Sequence, residues 1–132
     1  MADVVVVDRL APRAVVGRLP STVRVIDVGK APGRHALAQD RINDLLVEEA
    51  LAGRAVVRLK GGDPYVLGRG GEERLACEAH GIRVEVVPGV SSVTAVPSYA
   101  GVPLTASATT GIHVVAAGAR ASDLSGALDP NV

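Results

Sequence analysis

Short runs rich in valine and isoleucine recur along the chain, and segments with apolar residues at helical spacing lie between several of them. Such short apolar runs are typical of strands buried on both faces of a parallel sheet. The predicted strands are Val4–Val7, Val23–Val28, Arg54–Leu59, Ile82–Val87 and Ile112–Ala117. The predicted helices are Pro12–Leu19, Leu37–Leu51, Glu72–His80 and Ser91–Ala100. This order predicts an α/β fold in which helices flank a mostly parallel sheet.

Composition and charge narrow the class of protein. The 132 residues indicate one domain, and 14 basic and 14 acidic side chains leave no net charge. A neutral chain has no electrostatic basis for general nucleic-acid binding, so we expect no nucleic-acid partner. The single cysteine, Cys77, is expected to be a small buried residue, and three scattered histidines predict no metal site. Without a membrane-spanning run or a signal-peptide pattern, we expect a cytoplasmic protein with no membrane partner.

The loop after the third predicted strand carries the strongest sequence signal. Segment 56–73, VVRLKGGDPYVLGRGGEE, contains five glycines. Gly61 and Gly62 follow the strand directly, where glycine permits close approach of the main chain to a ligand at the carboxyl ends of the strands. The segment is not a P-loop, because no G-K-[ST] follows. A tight strand-to-helix connection without a ligand is the alternative interpretation.

Several polar side chains near the predicted strand ends are candidates for chemistry. Arg69 and Glu72 form either a surface ion pair or a carboxylate-binding arginine beside a proton-transferring glutamate. Asp8 ends the first strand, where it is either a candidate site carboxylate or a solvated strand end. Ser91 and Ser92 either offer hydroxyls to a ligand or simply cap a helix.

Four segments, taken together, resemble the tetrapyrrole methylase family, and within it the group that methylates uroporphyrinogen III. They are ADVVVVDRL (2–10), VIDVGKAPGRHALAQDRINDLLVEEALAG (25–53), VVRLKGGDPYVLGRGGEE (56–73) and GIRVEVVPGVSSVTAVPSYAGVPLT (81–105). The resemblance implies C-methylation of uroporphyrinogen III to precorrin-2, on the route to sirohaem and cobalamin. It implies S-adenosyl-L-methionine as methyl donor, no metal, and homodimers of two-domain subunits with the cofactor between the domains.

The resemblance also implies a role for individual residues. Cofactor contacts are expected at Gly61, Gly62, Asp63, Val66, Ser91 and Ser92, with the first three acting largely through the main chain. The tetrapyrrole is expected to face three residues, with Arg69 binding substrate and Asp8 and Glu72 as catalytic residues. Glu72 is the candidate for proton transfer. Because a sulfonium is already an activated methyl donor, holding the pyrrole carbon in line with it supplies most of the catalysis.

The sequence departs from the family pattern at both ends and at one motif. The family begins with an earlier strand and a glycine-rich turn and continues into a second domain. We therefore expect a truncated N-terminal domain at residues 1–118 and a poorly ordered tail at 119–132. Relatives usually carry His-Arg where this chain has Ala106-Ser107, which removes an expected carboxylate ligand. Two alternatives stay open: a non-catalytic fragment or interaction module that pairs with another chain, and a methyltransferase of a later corrin precursor.

Overall fold

The computed structural model describes residues 1–29, 38–108 and 111–116. Two compact units divide the chain, residues 1–89 and residues 90–132. The first unit contains β1 (Val4–Val7), α1 (Arg13–Val16), β2 (Arg24–Asp27), α2 (Gln39–Leu51), β3 (Val56–Leu59) and α3 (Gly70–Glu78). The second unit contains α4 (Ser92–Tyr99). Among the described helices, none is long and apolar enough to cross a membrane.

The three strands form an all-parallel sheet in the order β2-β1-β3. In the central strand, Val4 pairs with Arg24 on one side and Val56 on the other. All four β1 valines are at most 3% exposed, as expected for a central strand covered on both faces. The predicted α/β fold with a parallel sheet and flanking helices is confirmed.

The core of the first unit lies between the sheet and α2. Ile42, Leu46 and Val47 recur at helical spacing on the buried side of α2 and pack against Val4 and other residues of the core. The full buried cluster is Val4, Val6, Val28, Ile42, Leu46, Val47 and Cys77. Cys77 is buried as predicted. Burial raises the pKa of its thiol, because a low-dielectric setting disfavours the thiolate.

The fourth predicted strand, Ile82–Val87, is wrong as a strand, because the segment joins no ladder among the described strands. Half-buried and exposed residues still alternate along it, and Ile82 and Val84 pack against the core. The apolar pattern therefore predicted partial burial of Ile82, Val84 and Val86 but not the 74% exposure of Val87. A ladder also needs a partner strand about 4.8 Å away, which the pattern does not specify. The fifth predicted strand is wrong over residues 112–116, which form no strand, and Ala117 lies outside the described residues.

Glycines follow the ends of two helices, and a serine caps the start of a third. Gly53 and Gly81 come just after α2 and α3 with φ of +78° and +71°, the left-handed conformation that ends helices. Ser91 caps α4, and its hydroxyl accepts a hydrogen bond from the Val93 N–H at 3.2 Å. Pro97 lies inside α4, two residues before its end. The predicted first residue of α2, Leu37, and the predicted tail at 119–132 lie outside the described residues.

Candidate functional site

The loops that follow β1 and β3, with residues 28–29 after β2 and residues 88–89, form the carboxyl edge of the sheet, and their main chains pack closely. A Cβ atom built on Gly61 would lie 2.6 Å from the Leu10 carbonyl oxygen, and one on Gly89 would lie 2.1 Å from the Gly62 carbonyl oxygen. Real Cβ atoms do not approach main chain this closely. The side-chain position of Gly61 therefore makes room for Leu10 of the same chain, rather than for a ligand as its sequence context suggested.

The Asp63 side chain ties the glycine-rich loop to Gly89. Its carboxylate accepts hydrogen bonds from the Tyr65 N–H at 2.8 Å and from the Gly89 N–H at 3.0 Å. These two main-chain donors hold the pKa of Asp63 below its usual value. The carboxylate is thus engaged in fixing the loop, which leaves the main chain as the part of Asp63 that can contact a ligand.

The rest of the glycine-rich loop exposes main chain and apolar side chains. Gly62 is exposed with φ of +71°, and the Val66 side chain is 39% exposed. Leu67 and Arg69 are both left-handed, with φ of +54° and +53°, at a cost on the order of 1–2 kcal/mol each for residues with a Cβ. Such strain gathers at functional segments. Nothing in the sequence predicted these two conformations.

A buried network of four charges lies beneath this loop, and we call it the carboxyl-edge network: Asp8, Arg58, Lys60 and Glu73. Glu73 Oε2 is 3.2 Å from Lys60 Nζ, and Glu73 Oε1 is 3.2 Å from Arg58 Nε. Arg58 Nη2 approaches Asp8 Oδ2 at 3.6 Å. The side chains of Glu73 and Lys60 are only 6% and 8% exposed. Two cations and two carboxylates therefore balance in a setting largely removed from water.

Of this network, only Asp8 was predicted as a site residue from the sequence. Two patterns could have revealed the others. Glu73 lies four residues before the buried Cys77 and hence on the same, inward face of α3. Side chains alternate between the two faces of a strand, so Arg58, two residues after Val56, lies on the same side of β3. Val56 packs against the core.

Arg69 and Glu72 are both exposed near the start of α3. No ion pair joins them, and neither has an ion-pair partner within the described part of the chain. The interpretation of Arg69 and Glu72 as a surface ion pair is therefore wrong. Asp8 is more constrained, because its Oδ1 also accepts a hydrogen bond from the Leu10 N–H at 3.0 Å.

The serine candidates lie in the second unit. Ser91 serves as the helix cap described above, and Ser92 is exposed in the first turn of α4. Across the described ranges, no group of histidine, cysteine and acidic side chains is arranged to hold a metal ion.

Fold and edge together define an α/β domain whose glycine-rich loops lie at the carboxyl ends of parallel strands. The sequence matches the profile of the Tetrapyrrole (Corrin/Porphyrin) Methylases over residues 1–131. It is 51% identical over 104 residues to the S-adenosyl-L-methionine-dependent uroporphyrinogen III methyltransferase of Methanosarcina barkeri, covering 79% of this chain and 41% of that protein. The chain belongs to the tetrapyrrole methylase family, as its sequence motifs predicted.

Solved structures agree with this assignment. The uroporphyrin-III C-methyltransferase of Thermus thermophilus, complexed with S-adenyl homocysteine, is similar with a TM-score of 0.66 and 45% identity over 83% of this chain and 45% of that one. A cobalt precorrin-4 methyltransferase gives a TM-score of 0.64 at 27% identity over 80% of this chain and 42% of that one. The chain thus spans less than half the length of these relatives.

Proposed function

We propose that this chain is part of an S-adenosyl-L-methionine-dependent methyltransferase that converts uroporphyrinogen III to precorrin-2. The observation that carries the proposal is the glycine-rich loop at the carboxyl edge, which exposes main chain at Gly62 beside the exposed side chain of Val66. Relatives that share about half of the matched residues carry this activity in their names. The whole protein works as a homodimer in the cytoplasm.

The residues of the glycine-rich loop fit a nucleoside methyl donor. Main-chain N–H and C=O groups at Gly61, Gly62 and Asp63 offer hydrogen bonds to polar edges, and Val66 offers an apolar surface. The Asp63 carboxylate fixes the loop before anything binds, which reduces the ordering cost of binding. The hydroxyls of Ser91 and Ser92 stay candidates for cofactor contacts. When bound, S-adenosyl-L-methionine supplies an activated methyl group, so no nucleophilic side chain is required.

Three side chains handle the tetrapyrrole. Arg69 is exposed and lacks an ion-pair partner among the described residues, so its planar guanidinium is available to bind a propionate or acetate of the substrate. Glu72 is also exposed and accepts or releases a proton as the ring rearranges after methylation. Asp8, fixed by Leu10 and Arg58, faces the substrate with its remaining exposed surface. Together they orient the pyrrole carbon toward the donor.

Binding of S-adenosylhomocysteine tests the cofactor assignment. We expect the purified chain to bind this nucleoside weakly, with amide NMR shifts centred on residues 61–66. Gly62→Ala should abolish those shifts. Gly53→Ala is the matched control, because both glycines are left-handed and pay the same strain, whereas Gly53 lies at the opposite edge. Shifts centred elsewhere, or equal binding by both variants, would overturn the assignment.

Activity is tested in a hybrid methyltransferase, in which the matched residues of this chain replace the corresponding 104 residues of the Methanosarcina barkeri relative. We expect the hybrid to transfer labelled methyl groups to uroporphyrinogen III, and the chain alone to give no product. Arg69→Ala should raise KM for the tetrapyrrole and leave binding of S-adenosylhomocysteine intact. A hybrid that binds the nucleoside but methylates only a later corrin precursor would contradict the proposed substrate.

A further inference from the structure

The proposed function leaves the buried carboxylate of Glu73, beside the proposed site, without a role. Glu73 lies in the first turn of α3, directly after the proposed proton-transfer residue Glu72. Both of its oxygens are occupied: Lys60 Nζ lies within 3.3 Å of each, and Arg58 Nε and Gln39 Nε2 reach Oε1 at 3.2 and 3.3 Å. Desolvating several charges is costly, so removing one member leaves its partners buried without compensation.

Arg58 links Glu73 to Asp8, because its guanidinium contacts both carboxylates. While its Nε contacts Glu73, its Nη1 donates to the carbonyl oxygens of Val6 at 3.3 Å and Leu59 at 3.2 Å. Its Nη2 is the group that approaches Asp8. One planar guanidinium therefore contacts α3, β1 and β3, and a change at Glu73 alters the group that faces Asp8.

Lys60 connects Glu73 to the proposed cofactor loop. It directly precedes Gly61 and Gly62 in the chain, and its ammonium group is buried against Glu73. The Glu73 N–H also donates to the carbonyl oxygen of Arg69 at 3.2 Å, which closes the first turn of α3. Glu73 thus contacts Lys60, the residue before the cofactor loop, and the Arg69 carbonyl directly, and it reaches Asp8 through Arg58.

We propose that Glu73 is a positioning residue, which sets the placement of the cofactor loop and of the Asp8 carboxylate through Lys60 and Arg58. This inference rests on the proposed function, since it assigns Glu73 to the same site. Glu73 does not touch substrate or cofactor. Its effect on methyl transfer comes from the geometry of residues that do, and losses of such supporting contacts are on the order of tenfold or more.

The test compares Glu73→Gln with Glu49→Gln, a matched control. Glu49 is the other buried glutamate, it also contacts two cations, and it lies at the opposite edge of the sheet. In the ligand-free chain, Glu73→Gln should shift the amide signals of Leu10, Gly61 and Gly62, while Glu49→Gln leaves them in place. In the hybrid, Glu73→Gln should lower kcat about tenfold with a smaller change in KM, while Glu49→Gln stays within about twofold.

A second variant covers the case in which Glu73→Gln does not fold. Arg58→Lys keeps the charge but cannot reach both carboxylates with one planar group, so it should shift the Leu10 amide and lower kcat in the same direction. Unchanged amide signals in either folded variant, or equal loss of kcat in Glu49→Gln, would overturn the proposal. The ligand-free signals keep this test separate from the proposed function, which fails instead if the parent hybrid neither binds S-adenosylhomocysteine nor methylates a tetrapyrrole.

Discussion

A buried glutamate lies at each edge of the parallel sheet, and the two differ in how exposed their cationic partners are. At the carboxyl edge, Glu73 contacts Lys60 and Arg58, whose side chains are only 8% and 14% exposed. At the amino edge, where the strands begin, Glu49 pairs with Arg24 and Arg54, which are 54% and 39% exposed. The amino-edge arginines keep access to water, so their pairing with Glu49 is less essential to the fold.

The two glutamates also differ in the hydrogen bonds that their carboxylate oxygens accept. Every carboxylate oxygen of Glu73 has a donor. By contrast, Glu49 Oε2 is 3.1 Å from Arg54 Nε yet has no hydrogen bond among the described residues. A saturated buried carboxylate is costly to disturb, whereas a partly satisfied one already carries an unmet desolvation penalty. Structural constraint is therefore concentrated at the carboxyl edge, where the proposed site lies.

Glycine is also required for different reasons at the two edges of the sheet. At the amino edge, Gly53 and Gly81 have open space around them, and only their left-handed conformation requires glycine. At the carboxyl edge, Gly61 and Gly89 are required because neighbouring main chain occupies the side-chain position. One edge uses glycine to end helices, and the other uses it to bring loops together.

The largest expected effect is the loss of Glu73. Glu73→Ala should lower the free energy of unfolding by about 3–5 kcal/mol, because it leaves Lys60 buried without a carboxylate and Arg58 with Asp8 alone, at 3.6 Å. Glu49→Ala should cost about 1 kcal/mol, since its arginines can turn to water. Urea unfolding followed by circular dichroism measures both. Equal losses would remove the distinction between the edges.

A smaller effect is expected at the glycines. Gly89→Ala should destabilise the chain by about 2 kcal/mol, because the new methyl group meets the Gly62 carbonyl. Gly81→Ala should cost about 1 kcal/mol through backbone conformation alone. Gly71→Ala, in open space within α3, is the control and should leave stability unchanged or slightly raised. Thermal unfolding ranks the three, and a Gly89→Ala protein as stable as the control would contradict the close packing.

The smallest expected effect is a loosening of the carboxyl edge in acid. The pKa of Asp63 is lowered by hydrogen bonds from Tyr65 and Gly89, so the ionised form favours the folded loop. This contribution is fully present above the unfolded value near about 3.9 and is lost as pH falls through the lowered folded value. The Gly89 amide shift should therefore move only in that acidic range, as followed by NMR.

Asp63→Asn should remove this movement of the Gly89 amide. The Gly81 amide, which bonds to the Glu78 carbonyl at the other edge, serves as the internal reference. A Gly89 signal that titrates identically in the variant would show that another group controls the loop.

Local patterns predicted most of the first unit. The four valines of β1 indicated a strand buried on both faces, and α2 followed from its apolar spacing. Both signals work because burial and periodicity act within one element. Ile82–Val87 has the same apolar character, yet it forms no ladder, since pairing depends on a neighbouring strand and not on the segment itself.

The site was harder to predict for a similar reason. Glu72 and Glu73 are identical residues side by side, and only the phase of α3 makes one exposed and the other buried. Packing of the Glu73 and Cys77 side of α3 toward the interior sets that phase, and the helix begins at Gly70 rather than at the predicted Glu72. The resemblance selected Glu72, which is the exposed one. Contacts between distant segments, such as Arg58 with Asp8, required the tertiary fold.

The guanidinium of Arg58 has a consequence for how this region fluctuates. The guanidinium bonds to β1, β3 and α3 at once. Detaching any one of these elements therefore leaves a charge in the interior without some of its partners. Partial opening is therefore disfavoured, and we expect the three elements to exchange their amide protons as one cooperative unit. We therefore expect the sheet and α3 to open only together, and the loops between them to be as rigid as the elements they join.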